Sequence, residues 1–353
     1  MKSLREPILY SLAALVLAAA ACGKKSSAPS AEVTGLAAVP ASAVVVITAD
    51  VARVVDSPLV ARAVDQLLAR DADLAARWQK LKDSCKLDFA TQIKHVVLAV
   101  GPSTNGADTL HGAGPPGPQP GTGPVLMIAT GKLVENEFAA CVRSMVGKGG
   151  GDLTAKPLGS RTLYQAKEGN RGMFFAFGRA DTVVLGSDEA YVAEALGPGK
   201  KLSDNPEMSQ WLALADQHAP LWAVGRADER VRQGLVKATA GQISAGPVAF
   251  TVSADTSNGA KFEVDAVMAT AADAKALESF AKQNLALAGM AAQGKSLGKI
   301  VDHIAIAADG AVLRLKANLD IADVNLLVSA LDGGGPAAQD SPPAPVQGSG
   351  SGQ

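Results

Sequence analysis

The chain has 353 residues, a net charge of −1, 48% apolar, 19% charged and only 4% aromatic side chains. That length and apolar content can bury one large core or two ordinary ones, built mainly from Ala, Val and Leu. The near-neutral balance and the scarcity of rings argue against a nucleic-acid partner, electrostatic adhesion to anionic lipid, or a stacking platform for bases.

The chain opens with Lys2 and Arg5, an apolar run from Ile8 to Ala21, and small residues leading into Cys22. This is the pattern of a secretory signal peptide over residues 1–21, too short to span a bilayer and followed at once by Gly23-Lys24-Lys25. Ala19-Ala20-Ala21 satisfies the small-x-small rule for an ordinary secreted protein cut at the same bond. Leu17-Ala-Ala-Ala-Ala-Cys22 also resembles the lipobox of bacterial lipoproteins. That resemblance implies cleavage before Cys22, acylation of its sulfur and new amino group, and a stable membrane anchor at roughly 0.8 kcal/mol per buried methylene. Gly23 in place of Asp resembles lipoproteins that reach the outer membrane, so the expected location is that membrane, with the folded part in the periplasm or at the cell surface.

Residues 22–39, the lipidated cysteine and GKKSSAPSAEVTGLAAV, read as a flexible tether. A β-branched strand is expected at 43–49, and a helix after Ser57-Pro58, with Ser as cap and Pro in the first turn. A second helix follows Asp71, with Leu74, Trp78, Leu81 and Cys85 on one stripe. Strands at 95–100 and 123–130 flank a Gly/Pro-rich loop at 101–122. Residues 133–146 repeat the helical period, with Val134, Phe138, Cys141 and Met145 in register. A meander of three strands (162–166, 173–177, 182–185) and helices at 188–196 and 206–217 complete this half.

The second half begins with a strand at 220–224 and a helix at 228–237. Alternating runs around Asn258-Gly259 and Asp309-Gly310 predict two hairpins, the first with a type I′ turn, with strands at 250–255, 261–268, 300–307 and 312–319. Helices at 271–288 and 321–331 follow their hairpins, and 333–353 reads as a disordered tail. MIATGKLVENEFA at 127–139 and VMATAADAKALESFA at 267–281 both pass from strand through Ala-Thr into a helix. The expected fold is therefore α+β: antiparallel sheets with helices packed on one face, formed by tandem duplication of one unit over 40–215 and 216–332. In broad layout this resembles envelope lipoproteins built from paired α+β units.

Chemistry is sparse. Gly289-Met-Ala-Ala-Gln-Gly294-Lys295-Ser296 spells a Walker A string, but a helix precedes it and a hairpin follows, so no nucleotide is expected. Gly112-Ala-Gly114-Pro-Pro-Gly117 matches a dinucleotide fingerprint, yet its prolines forbid the helix that would receive a pyrophosphate. His95, His111, His218 and His303 lack ligand spacing, so no metal, cofactor or catalytic residue is assigned. If Cys22 is acylated, Cys85 and Cys141 remain; they can form a structural disulfide in an oxidising compartment or persist as two buried thiols. The functional expectation is a lipid-anchored, non-enzymatic scaffold or binding module that meets an envelope protein partner. The alternative is a periplasmic carrier or sensor of an apolar ligand. The alternate face of the second half (Thr251, Ser253, Asp265, Arg314, Lys316) reads as wet, whereas the first-half strands are apolar on both faces.

Overall fold

The alternating and β-branched segments all enter one antiparallel sheet. The computed structural model describes residues 33–85, 89–102, 123–169, 171–291 and 296–331. The first-half strands are β1 (Val45–Asp50), β2 (Ile93–Val100), β3 (Val125–Gly131), β4 (Asp152–Leu158), β5 (Arg161–Glu168), β6 (Arg171–Arg179) and β7 (Thr182–Gly186). The second half supplies β8 (Leu221–Arg226), β9 (Ala249–Asp255), β10 (Ala260–Val267), β11 (Ile304–Asp309) and β12 (Val312–Leu319). Their spatial order is β11-β12-β10-β9-β8-β1-β2-β3-β7-β6-β5-β4.

That order is a duplication. The first half runs β1-β2-β3-β7-β6 outward from the centre and the second runs β8-β9-β10-β12-β11, so the same path is traced twice. The repeats meet where β1 pairs antiparallel with β8, Val45 opposite Gly225 and Ile47 opposite Ala223. Helix α3 (Glu135–Lys148) follows β3 as α7 (Ala271–Ala291) follows β10, and α4 (Glu189–Leu196) follows β7 as α8 (Ile321–Leu331) follows β12. The first repeat alone adds the β4–β5 hairpin at its outer edge. The described residues form one compact unit from Val33 onward.

Local chemistry sets the helix starts. Ser57, Asp188, Asn205 and Asp228 each accept the backbone N–H three residues on, opening α1 (Pro58–Arg70), α4, α5 (Pro206–Leu212) and α6 (Glu229–Ala238). Pro58 and Pro206 occupy the first turn, where a missing N–H removes nothing. Helix α2 (Ala72–Cys85) follows α1 across Asp71.

Helices lie on both faces of the sheet, α4 and α5 on one and α3 and α7 on the other, where the sequence led to the expectation of one covered face. Local departures from the sequence expectation also occur. Strand β4 is missing from the expected pattern because Asp152, Lys156 and Pro157 read as loop; as an edge strand it needs only one ladder, and Pro157 is tolerated there. Helix α5 stops at Leu212 rather than 217, where the Gln217 side chain donates to the Leu212 carbonyl at 2.9 Å. Residues Ser296–His303 wind as a 3₁₀ helix, so β11 begins at Ile304 and His303 is not in a strand. The turn at 256–259 is not type I′. There Asp255 accepts both the Ser257 N–H (3.0 Å) and its hydroxyl (2.6 Å), and only Gly259 is left-handed. At the second hairpin Asp309 pairs with Val312, and Gly310 takes a positive φ of 55° as the first of two turn residues.

Candidate functional site

The sheet has two unlike faces, and the register shows where each is covered. On the front, Val46, Val97, Ala99, Leu126, Ile128 and Val184 are buried with residues of α4, α5 and the segment 33–39. Met208 and Trp211 of α5 carry this cover onto Trp222 and Val224 of β8. Farther out the front becomes polar, but it is less wet than its letters suggest. Asp265 is 1% exposed, accepting from Arg314 Nε at 2.9 Å and facing Thr251 Oγ1 at 3.3 Å. Arg314 also reaches Glu263 at 2.8 Å, and Lys316 meets Glu263 at 3.1 Å. The hydrogen bond to Asp265 pushes the Arg314 pKa up, so the guanidinium stays charged.

On the back, one row crosses the whole sheet. It centres on Ile47, runs through Leu98 and Met127 into the first repeat, and through Ala223, Val252, Val264 and Leu315 into the second. Helix α3 closes the far end in the first repeat, where Phe138 packs edge-on against Phe175 at 5.2 Å. Helix α7 closes the other end with Leu277 and Phe280 against Ile306 and Leu313. Between those lids, the seven residues from Leu315 to Met127 are only half-buried, although their neighbours Val46, Val97, Trp222 and Val224 on the front are fully covered. The result is an apolar trough over seven consecutive strands, flanked by Val125 and Leu221, which are exposed.

A helical hairpin bridges the two ends of this trough. Helix α1 starts in the second repeat: Ser57 Oγ donates to the Thr256 carbonyl at 2.8 Å, Arg62 bonds Asn325 of α8 at 3.0 Å, and Leu59 packs with Phe262 and Leu319. Helix α2 ends in the first repeat, where Cys85 is bonded to Cys141 of α3 with Cα atoms 4.6 Å apart. Phe262, Leu319 and α3 all belong to the back of the sheet, so the hairpin lies on that side. Among its described side chains Leu67 is 53% exposed and Trp78 40%. The stripe containing Trp78 reads as core in sequence, yet Trp78 keeps part of its ring in water. No side chain of the trough row titrates, so its chemistry is that of apolar contact.

The remaining expected sites fall as follows. Cys85 and Cys141 are brought together, which removes the free-thiol alternative. Cys22, His111 and the Gly112–Gly117 string lie outside the described residues, as does most of the Gly/Pro loop. Gly289 of the Walker-like string sits inside α7, not at the end of a strand, and residues 292–295 are outside the described set. His303 Nδ1 lies 2.7 Å from Asp323 Oδ2. Among the described residues no cluster of three His, Cys, Asp or Glu could hold a metal ion, and no helix is long and apolar enough to cross a membrane. Two shallow grooves also exist. One of about 310 Å³ involves Leu36, Leu202 and Leu212; one of about 330 Å³ involves Arg232, Lys237 and Ser244.

No protein-family model matches the chain, and no curated protein matches it. Among solved structures, crystal form I of TP0453 is similar with a TM-score of 0.40 and 11% identity, over 88% of this chain and 99% of that one.

Proposed function

We propose that this protein is a non-enzymatic binding module of the bacterial cell envelope, anchored by acylated Cys22 at the outer membrane, whose back-face trough takes an apolar ligand with a long acyl chain. The observation that carries the ligand class is the half-buried row from Leu315 through Ile47 to Met127. A ladder of adjacent strands about 4.8 Å apart makes seven positions long enough to hold an extended chain of acyl length. Such a surface left in water loses roughly 25 cal/mol for every Å² of apolar area, so an occupant is favoured. The anchoring rests on the sequence around Cys22, and an envelope protein docking on the same surface is the competing occupant.

Titration of the purified chain with a fluorescent long-chain fatty acid tests the reading. Saturable binding, lost in Ile47→Glu and Val252→Glu with melting unchanged to within a few degrees, is expected. Binding that survives both substitutions would place the ligand elsewhere.

A further inference from the structure

We propose that the exposed edge of β11 is a strand-pairing surface for a second copy of this chain, joined β11 to β11 in an antiparallel two-fold dimer. The duplication carries the inference. Strand β11 occupies in the second repeat the place that β6 occupies in the first. In the first repeat that strand has a further antiparallel neighbour, β5, with Phe175 opposite Tyr164. In the second repeat the corresponding position is vacant: among the described strands β11 pairs with β12 alone. A strand position that the fold fills once is open once.

The two outer edges are also guarded differently. Strand β4 carries Lys156 and Pro157, devices that blunt an edge against pairing. Strand β11 reads Ile304-Ala-Ile-Ala-Ala, with neither a charge nor a proline before Asp309. Ala305 and Ala307 point to the exposed front face and offer no steric bar. Centred on Ile306, a two-fold pairing sets Ala305 against Ala307 of the other copy and Ile304 against its Ala308, so no charge faces a like charge along the five residues before Asp309. This is the geometry by which β1 and β8 already join the two repeats, so the dimer extends one continuous sheet.

Native mass spectrometry of the detergent-extracted full chain should give a dimer. Ala305→Glu/Ala307→Glu, opposite Lys316 and Arg314 of β12 and so tolerated within one chain, sets like charges against each other across the dimer and should give a monomer with an unchanged melting temperature. Register is read by Ala305→Cys/Ala307→Cys, which should form a reducible dimer while neither single substitution does. A monomeric parent chain overturns the proposal, as does a dimer that survives the glutamate pair or cross-links equally in the single variants. A monomer whose β11 amides are slow to exchange would assign the vacant position to another segment of this chain and overturn it equally.

Discussion

Cys85 and Cys141, 56 positions apart, are covalently joined, and this bond fixes the end of α2 to α3 while the start of α1 is held in the other repeat. The bridge therefore fixes the first-repeat end of the hairpin, which itself reaches from one repeat to the other. A loop of that length gives about 4 kcal/mol by chain-entropy arithmetic.

Removing the bridge should be felt in stability and at the trough. Cys85→Ser/Cys141→Ser should melt roughly 5–10 °C lower, for a loss of about 4 kcal/mol in a protein of this size. Differential scanning calorimetry checks the shift, and hydrogen exchange should show α1 and α2 opening before the sheet.

Neighbouring residues of β1 should behave oppositely. Val46 is fully buried on the front, so Val46→Ala should destabilise by about 2–3 kcal/mol without altering ligand affinity per folded molecule. Ile47 is half-buried on the back, so Ile47→Ala should destabilise less and weaken ligand binding more. Denaturant melts and the fatty-acid titration separate the two effects.

Asp265 should punish the loss of its partner. Arg314→Leu leaves a carboxylate 1% exposed without its charged donor and should cost about 3 kcal/mol. Asp265→Leu/Arg314→Leu should recover most of it, because both charges then leave together. Urea melts of the three variants give the coupling.

Acid should loosen the start of α7. The Thr270 hydroxyl first, and then the Ser244 N–H, hold the Asp273 carboxyl below the usual carboxylate range. A depressed folded pKa means the contribution is present above the unfolded value near 4 and is lost as pH falls through the folded value. Asp273→Asn should therefore lower stability by about 1 kcal/mol at neutral pH and flatten the acid limb of the stability curve. Chemical denaturation between pH 7 and pH 2 checks both.

Much of this was legible in the letters. Ser57-Pro58 marks α1, the strand-Ala-Thr-helix text at 127–139 and 267–281 marks the duplication, and the two cysteines fall on α2 and α3. The illegible parts have physical causes. Strand β4 hides because an edge strand tolerates Pro157, and Ile300-Val301 reads as strand although it winds into a 3₁₀ helix. The trough is invisible because Ile47 and Val46 look alike in a β-branched run. Only the register, with α4 and α5 covering the front and α3 and α7 standing at the two ends of the back, makes one covered and the other half-open. Buried Asp265 was read as wet because its partner Arg314 lies 49 positions away.

The most direct test is photo-cross-linking of the full chain with a fatty acid carrying a photoreactive group along its acyl chain, followed by peptide mapping. The account predicts label on β1, β2, β8 and β9, concentrated at Ile47, Leu98, Ala223 and Val252, with none on Val46 or Val224. Label confined to the outward residues of α1 and α2, such as Leu67, or spread without preference over the surface, would contradict a ligand held in the trough.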